Sequence, residues 1–206
     1  MGYLKYVAQT WKKPRENLAS LWNERLITWR REPSSLRLDH PTRPDRAHAL
    51  GYKAKEGFLV VRQKLKVAYR KRGSYLGGRR PKHARLTLVL DKNYQQIAEE
   101  RVNDKYPNCE VLNSYWVASD SKNHWYEVIL VDKAHPAIVV DKDINWICSN
   151  KQNGRAYRGL TSAARKARGL RWKGKGAEKM RPSRSASIRR KNSKQRKFDF
   201  PLNTKM

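Results

Sequence analysis

Arg158, Arg165, Lys166, Arg168, Arg171, Lys173 and Lys175 recur through RGLTSAARKARGLRWKGKG, among Gly159, Gly169, Gly174 and Gly176 and without an acid. Cations at such spacing suit one chemistry above others, charge-assisted hydrogen bonding to phosphate oxygens. Glycine lets a backbone approach a crowded surface. The small side chains of Ser162, Ala163 and Ala164 would let a helix lie close to a groove. Arginine outnumbers lysine over 155–171, which favours bidentate contacts and stacking on planar groups. The series extends to Arg155 on one side and to Arg181, Arg184, Arg189 and Arg190 on the other.

Two more sets share this character. RKRGSYLGGRRPKHAR (70–85) holds Arg70, Lys71, Arg72, Arg79, Arg80, Lys82 and Arg85 with three glycines. It has no core to stabilise it and is expected to order only on a partner. In 58–69, Leu59, Val61, Leu65, Val67 and Tyr69 alternate with Arg62, Lys64 and Lys66. Period-two alternation predicts a strand with one core face and one basic face, the latter meeting an anion.

A catalyst would need a convergent polar set, and none stands out. His40, His48, His83, His124 and His135 lie far apart without metal-ligand spacing. An enzyme such as a nuclease or RNA-modifying protein would need a cluster like His124, His135 and Glu127 around one pocket. Ser162 is not in a G-x-S-x-G turn, and no G-K-[ST] follows the glycines of 73–78. Glu99 and Glu100 read as a solvated helix face. Cys109 and Cys148 lack a C-x-x-C partner and read as buried thiols. The expectation is no enzyme activity, no metal, no cofactor and no small-molecule substrate.

The elements around these residues set the fold class. The chain has 206 residues and a formal net charge of +29. That charge is uneven: +5 over 1–50, +11 over 51–90, −4 over 91–150 and +17 over 151–206. A slightly acidic core with basic arms is the expected organisation. Leu18, Leu21, Trp22, Leu26 and Trp29 share one helical face, which predicts a helix over 14–32 that ends before Pro33. A short helix is expected at 45–50, closed by Gly51. Tyr94, Ala98, Val102 and Tyr106 predict a helix capped by Asp91 and ended by Pro107. Strands follow at 110–118 and 124–131, joined by the turn Asp120-Ser121-Lys122-Asn123. Helical turns are expected at 136–139 and 143–146. In the arm, 161–167 with Thr161 as cap and 184–191 are expected to be helical, without a face wide enough to bury much. Residues 151–192 are therefore expected to be disordered alone and ordered on a polyanion.

Three domains of the reading follow: 1–50, N-terminal helices and an extended segment; 51–150, an α+β core carrying the 70–85 loop; and 151–206, a basic extension. No apolar run approaches the length of a membrane span, Met1 to Trp11 lacks a signal-peptide core, and the arms lack an apolar face for a lipid surface. No helix-turn-helix, zinc finger or basic zipper points to duplex DNA. Folded RNA is the best-matched partner.

Longer motifs sharpen this reading. RPDRAHALGYKAKEGF (43–58), IAEERV (97–102), VLNSYWV (111–117), WYEVILVD (125–132), HPAI (135–138), INWI (144–147) and RGLTSAARKARGLRWKGKGAEKMRPSR (158–184) occur in order. They resemble the archaeal and eukaryotic large-subunit ribosomal protein fifteen family over about residues 2–192, and WYEVILVD is similar to the archaeal form. The resemblance implies a structural constituent of the large ribosomal subunit, cytoplasmic, in contact with large-subunit ribosomal RNA and neighbouring ribosomal proteins. It implies a small, mostly antiparallel α+β fold with packed helices and long basic RNA-binding extensions. It also implies RNA contacts at Lys53 and Lys55, in the 70–85 loop, and at Arg158, Arg165, Lys166 and Arg168. Ala164 stands where the family more often has Gly, and Glu56 where Gln is common. Residues 193–206 fall outside the resemblance. The runner-up reading is a non-ribosomal RNA-binding factor or RNA chaperone.

Overall fold

The computed structural model describes residues 2–68, 71–73, 76–88, 90–172, 175–178, 180, 183, 185–189 and 192. The chain opens with three helices, α1 (Leu4–Thr10), α2 (Pro14–Asn17) and α3 (Ala19–Arg31), followed by β1 (Ser35–Leu38) and α4 (Pro44–Ala49). Then come β2 (Phe58–Lys66), α5 (Tyr94–Lys105), β3 (Cys109–Ser119), β4 (Asn123–Asp132), α6 (Pro136–Val139) and two 3-10 turns at Asn145–Cys148 and Asn150–Gln152. α7 (Ser162–Ala167) follows, and residues 185–189 are helical. The strands form one antiparallel sheet in the order β1-β2-β4-β3, so the fold is α+β as expected.

Both faces of the sheet are covered. Phe58, Val60, Trp125, Ile129 and Val131 pack with Trp22, Leu26 and Trp29 of α3 and with Ile138 and Ile147. On the other face Val61, Leu65, Val128 and Leu130 meet Ala98 and Val102 of α5 and Ala156. β4 lies inside the sheet between β2 and β3, which is why 128–131 is apolar throughout rather than alternating. Tryptophans fill the first layer: Trp11 stands edge-on to Trp22 at 6.2 Å, and Trp29 lies 6.2 Å from Trp125.

β2 departs from its expected pattern for the same reason. The face carrying Arg62 is not an outer basic surface. α3 lies over it, and Arg62 is only 7% exposed. Its Nη2 donates to Glu32 Oε1 and Oε2 at 2.9 and 2.7 Å, and its guanidinium lies 4.4 Å from the Trp29 ring centroid. Lys64 Nζ donates to the carbonyls of Arg30 and Glu32 at 3.0 and 2.6 Å, closing the end of α3. The anion that this face meets belongs to the chain. Lys66, at the strand's end, is exposed.

Local boundaries mostly follow the sequence. Gly51, at φ +95°, ends α4, and the 120–123 turn is pinned by Asp120 Oδ1, which accepts from the Lys122 and Asn123 amides at 2.7 and 2.5 Å. The cap of α5 is Asn93, not Asp91; its side chain accepts from the Gln96 amide. The expected 14–32 helix is broken at Leu18 (φ −131°). There Asn17 Nδ2 donates back to the Thr10 carbonyl at 3.0 Å, an alternative that competes with helix continuation.

Candidate nucleic-acid interface

Residues 154–168 are where the structure differs most from expectation. They pack on the core. Ala156 and Ala164 are fully buried and Ala163 nearly so. Their small side chains let the segment lie against α5 rather than against a nucleic-acid groove. Arg155, in the expected binding set, is also buried: its Nη1 donates to the Val111 and Leu112 carbonyls at 2.9 and 3.1 Å, and its guanidinium lies 4.9 Å from the Trp146 ring centroid. Burial pulls its pKa down, opposed by Glu99 and Glu110. Gly159, at φ +71°, makes room for a side chain of this chain: a Cβ there would sit 2.7 Å from Arg168 Cδ, and Arg168 Nη1 donates to the Gly159 carbonyl at 3.0 Å.

Thr161 caps α7 as expected, accepting from the Ala164 amide at 3.3 Å. The cap orients α7 so that Ala163 and Ala164 face inward while Arg165 and Lys166 stay exposed. Arg158 is exposed too, though its Nε donates to the Asn153 carbonyl at 2.9 Å and its Nη2 to that of Lys151. Arg171, Lys175 and Arg189 are exposed. Trp172, 62% exposed, adds a flat apolar ring beside Arg171; sequence reading overlooked it, although an aromatic set among cations is the usual signal for base stacking.

Among the described residues, the 70–85 loop has no helix or strand and is held by local hydrogen bonds. One bridge joins Lys71 to Thr87, and the Arg72 amide donates to the Leu86 carbonyl at 2.9 Å. Arg72 Nη1 and Arg79 Nη2 donate to the carbonyls of His83 and Gly73 at 3.0 and 2.8 Å, so two guanidinium groups brace the loop. Lys71, Arg80, Lys82 and Arg85 are exposed. Arg70, Lys173, Arg181, Arg184 and Arg190 lie outside the described residues.

Lys53 and Lys55 are partnered by acids of the chain. Lys53 Nζ reaches Asp141 and Asp143 at 3.0 and 2.9 Å. Lys55 Nζ reaches Asp141 and donates to the Ala137 carbonyl at 3.1 Å. The two ammonium groups, Lys55 foremost, hold the Asp141 carboxyl well below the usual range.

Among the described residues the buried acids are Glu99, Glu110 and Glu127, and none was foreseen as buried. Glu99, read as solvated, is 0% exposed, as is Glu127. Glu127 Oε2 accepts from Tyr115 Oη at 2.6 Å and from the Thr42 amide at 3.1 Å. Burial raises the pKa of the Glu99 and Glu127 carboxyls against the hydrogen bonds that lower it. The minimal catalytic cluster does not assemble. Glu127 faces Arg62 on one side of the sheet, His124 stacks 4.8 Å from Tyr94 on the other, and His135 lies 3.6 Å from Glu56. Among the described residues no three His, Cys, Asp or Glu side chains cluster as a metal site, and no helix is long and apolar enough to cross a membrane. Cys109 is buried, and burial pushes its thiol pKa up to about 11.

The site as a whole is an α+β sheet covered on both faces, with exposed cations on a loop and on a docked basic segment. A sequence profile described as Ribosomal L15 matches residues 2–187. The chain is also 50% identical over 187 residues to the large ribosomal subunit protein eL15 of Methanocella arvoryzae, an alignment spanning 90% of this chain and 95% of that protein. The chain belongs to the Ribosomal L15 family.

Proposed function

We propose that this protein is a structural constituent of the large ribosomal subunit in the cytoplasm and binds large-subunit ribosomal RNA, beside neighbouring ribosomal proteins, without a catalytic step. Family membership supports the ribosomal role. The observation that carries the RNA reading is the division of labour among cations. Arg62, Lys64, Lys53, Lys55 and Arg155 are engaged inside the chain. Lys71, Arg80, Lys82 and Arg85 of the loop and Arg165, Lys166, Arg171 and Lys175 of the C-terminal segment are exposed. Phosphates are the counter-charge that a surface of net positive sign needs. The exposed groups form the proposed interface, with Arg158 and Arg168 lending shape to its edge.

Salt-titrated binding of the full chain to a large-subunit ribosomal RNA fragment tests this. With about six to ten phosphates contacted, the log–log slope is expected on the order of −5 to −9. A slope near zero, or equal affinity for duplex DNA of the same length, would overturn the reading.

A further inference from the structure

Glu99 lies mid-way along α5 with its side chain wholly inside the protein. Ser114 Oγ of β3 donates to its Oε1, and Thr161 Oγ1 donates to its Oε2 at 2.5 Å. A buried carboxyl opposes folding unless its oxygens are satisfied. An apolar side chain of similar size would pack α5 on β3 without that cost. What the carboxyl adds is direction, because it can accept two hydroxyls at fixed angles from two different elements.

The second of those hydroxyls occupies a decisive place. Thr161 has one proton and two lone pairs to use. The proton goes to Glu99, and a lone pair takes the Ala164 amide that starts α7. One side chain is therefore both the cap of α7 and its tie to the core. α7 has only six residues, too few to hold as an isolated helix in water. Besides the packing of Ala163 and Ala164, its other polar ties among the described residues include Asn93 Nδ2, which donates to the Ala163 carbonyl at 3.0 Å, and Arg168, which returns to Gly159. Arg165 and Lys166 project from the opposite, exposed side.

We propose that Glu99 is a positioning residue for RNA binding: through Thr161 it locks α7 onto the core, so that Arg165 and Lys166 are held in place before any RNA arrives. This rests on the RNA reading above and deepens it. It also reverses the expectation for this part of the arm, since the helix is preformed rather than shaped by its partner. Preorganisation raises affinity by removing an ordering cost at the moment of binding.

The test combines amide hydrogen exchange of the free, full-length protein with binding to a large-subunit ribosomal RNA fragment. In the wild type, amides of 162–168 should be protected without RNA. Glu99→Gln and Thr161→Val should each speed exchange there by about tenfold or more while β4 amides are unchanged. Thr161→Ser, which keeps the hydroxyl, should restore protection. In the Thr161→Val background, Glu99→Gln should add nothing at 162–168, because the bond it would weaken is already gone. Both single variants should lose RNA affinity by roughly fivefold with an unchanged salt slope, since no phosphate contact is removed. Arg165→Ala with Lys166→Ala should instead reduce the slope by about two. Exchange at 162–168 that is fast in the wild type, or that rises equally in β4 and α7 in the variants, would overturn the lock. If exchange responds as described but the Arg165/Lys166 pair leaves the slope unchanged, the lock stands as architecture and its role in RNA binding is overturned.

Discussion

Residues 70–85 and 154–168 are both basic and both contain glycine, yet they meet the rest of the chain differently. The first leaves the sheet after β2 and, among its described residues, is held by the Lys71–Thr87 bridge and by local bonds of Arg72 and Arg79. Leu76 in it is fully exposed, and Leu86 just beyond it is 81% exposed. The second lies along α5, with Ala156, Thr161 and Ala164 fully buried. Both are dense in cations and lack an acid, so charge alone does not decide between them. Side-chain size and one buried acid do: alanines can approach a helix closely, and Glu99 supplies an acceptor for Thr161. A basic segment is therefore an arm or a docked element according to what it offers the core on its uncharged side.

The largest contrast comes from placing the same charge in the two environments. Leu65→Asp, at a site 2% exposed beneath α5, should cost about 3–5 kcal/mol in urea unfolding. Leu86→Asp, on the limb that leaves the loop, should stay within about 0.5 kcal/mol. Comparable losses in the two variants would mean that the loop is packed after all.

A filled contact gives the next effect. Ala164→Leu forces a larger side chain between α7 and α5 and should destabilise by about 1–3 kcal/mol, whereas Arg80→Leu should not measurably shift the melting temperature. Chemical unfolding of both variants compares them directly.

Acidification sharpens the comparison between buried and surface carboxyls. Burial raises the Glu99 pKa above its ordinary 4.5, so the carboxyl is harder to ionise in the folded than in the unfolded chain. The cost of ionising Glu99 is absent below the unfolded value and grows as pH rises from there to the folded value. Asp141 has the opposite sign: Lys55 and Lys53 lower its pKa below 3.8, and its stabilisation, present above 3.8, is lost as pH falls. Lowering pH from 7 toward 3 should therefore move the wild type up relative to Glu99→Gln and down relative to Asp141→Asn. Melting temperatures across that range, with all three proteins measured together, check both signs.

The smallest effect on stability should accompany a clear effect on RNA. Lys82→Ala with Arg85→Ala should leave the melting temperature unchanged and lower the magnitude of the salt slope by about two. A drop in melting temperature without a change in slope would place these two side chains within the fold instead.

Much of this architecture was legible in the chain itself. The β3–β4 hairpin, the stop of α4 at Gly51, α6, and α7 with its Thr161 cap all depend on residues a few positions apart. Short-range hydrogen bonds and steric limits decide such features, and both are properties of residue type. The basic loop was legible too, because seven cations in sixteen residues with no acid offer nothing to bury.

What the chain alone left open was which side of each element would be covered. Arg62 has the same chemistry whether it faces solvent or Glu32, and Glu32 lies 30 positions away. Glu99 reads as a solvated acid until Thr161, 62 positions on, brings a hydroxyl to it. Alternation located β2 correctly, but only the placement of α3 made its second face an interior one. Polar side chains can be solvated or paired at little difference in local energy, so their burial is settled by partners far along the chain. The residue types determined where strands, turns and cations would be. The tertiary packing decided which cations stayed exposed, because it alone brought the chain's own acids and carbonyls to the others.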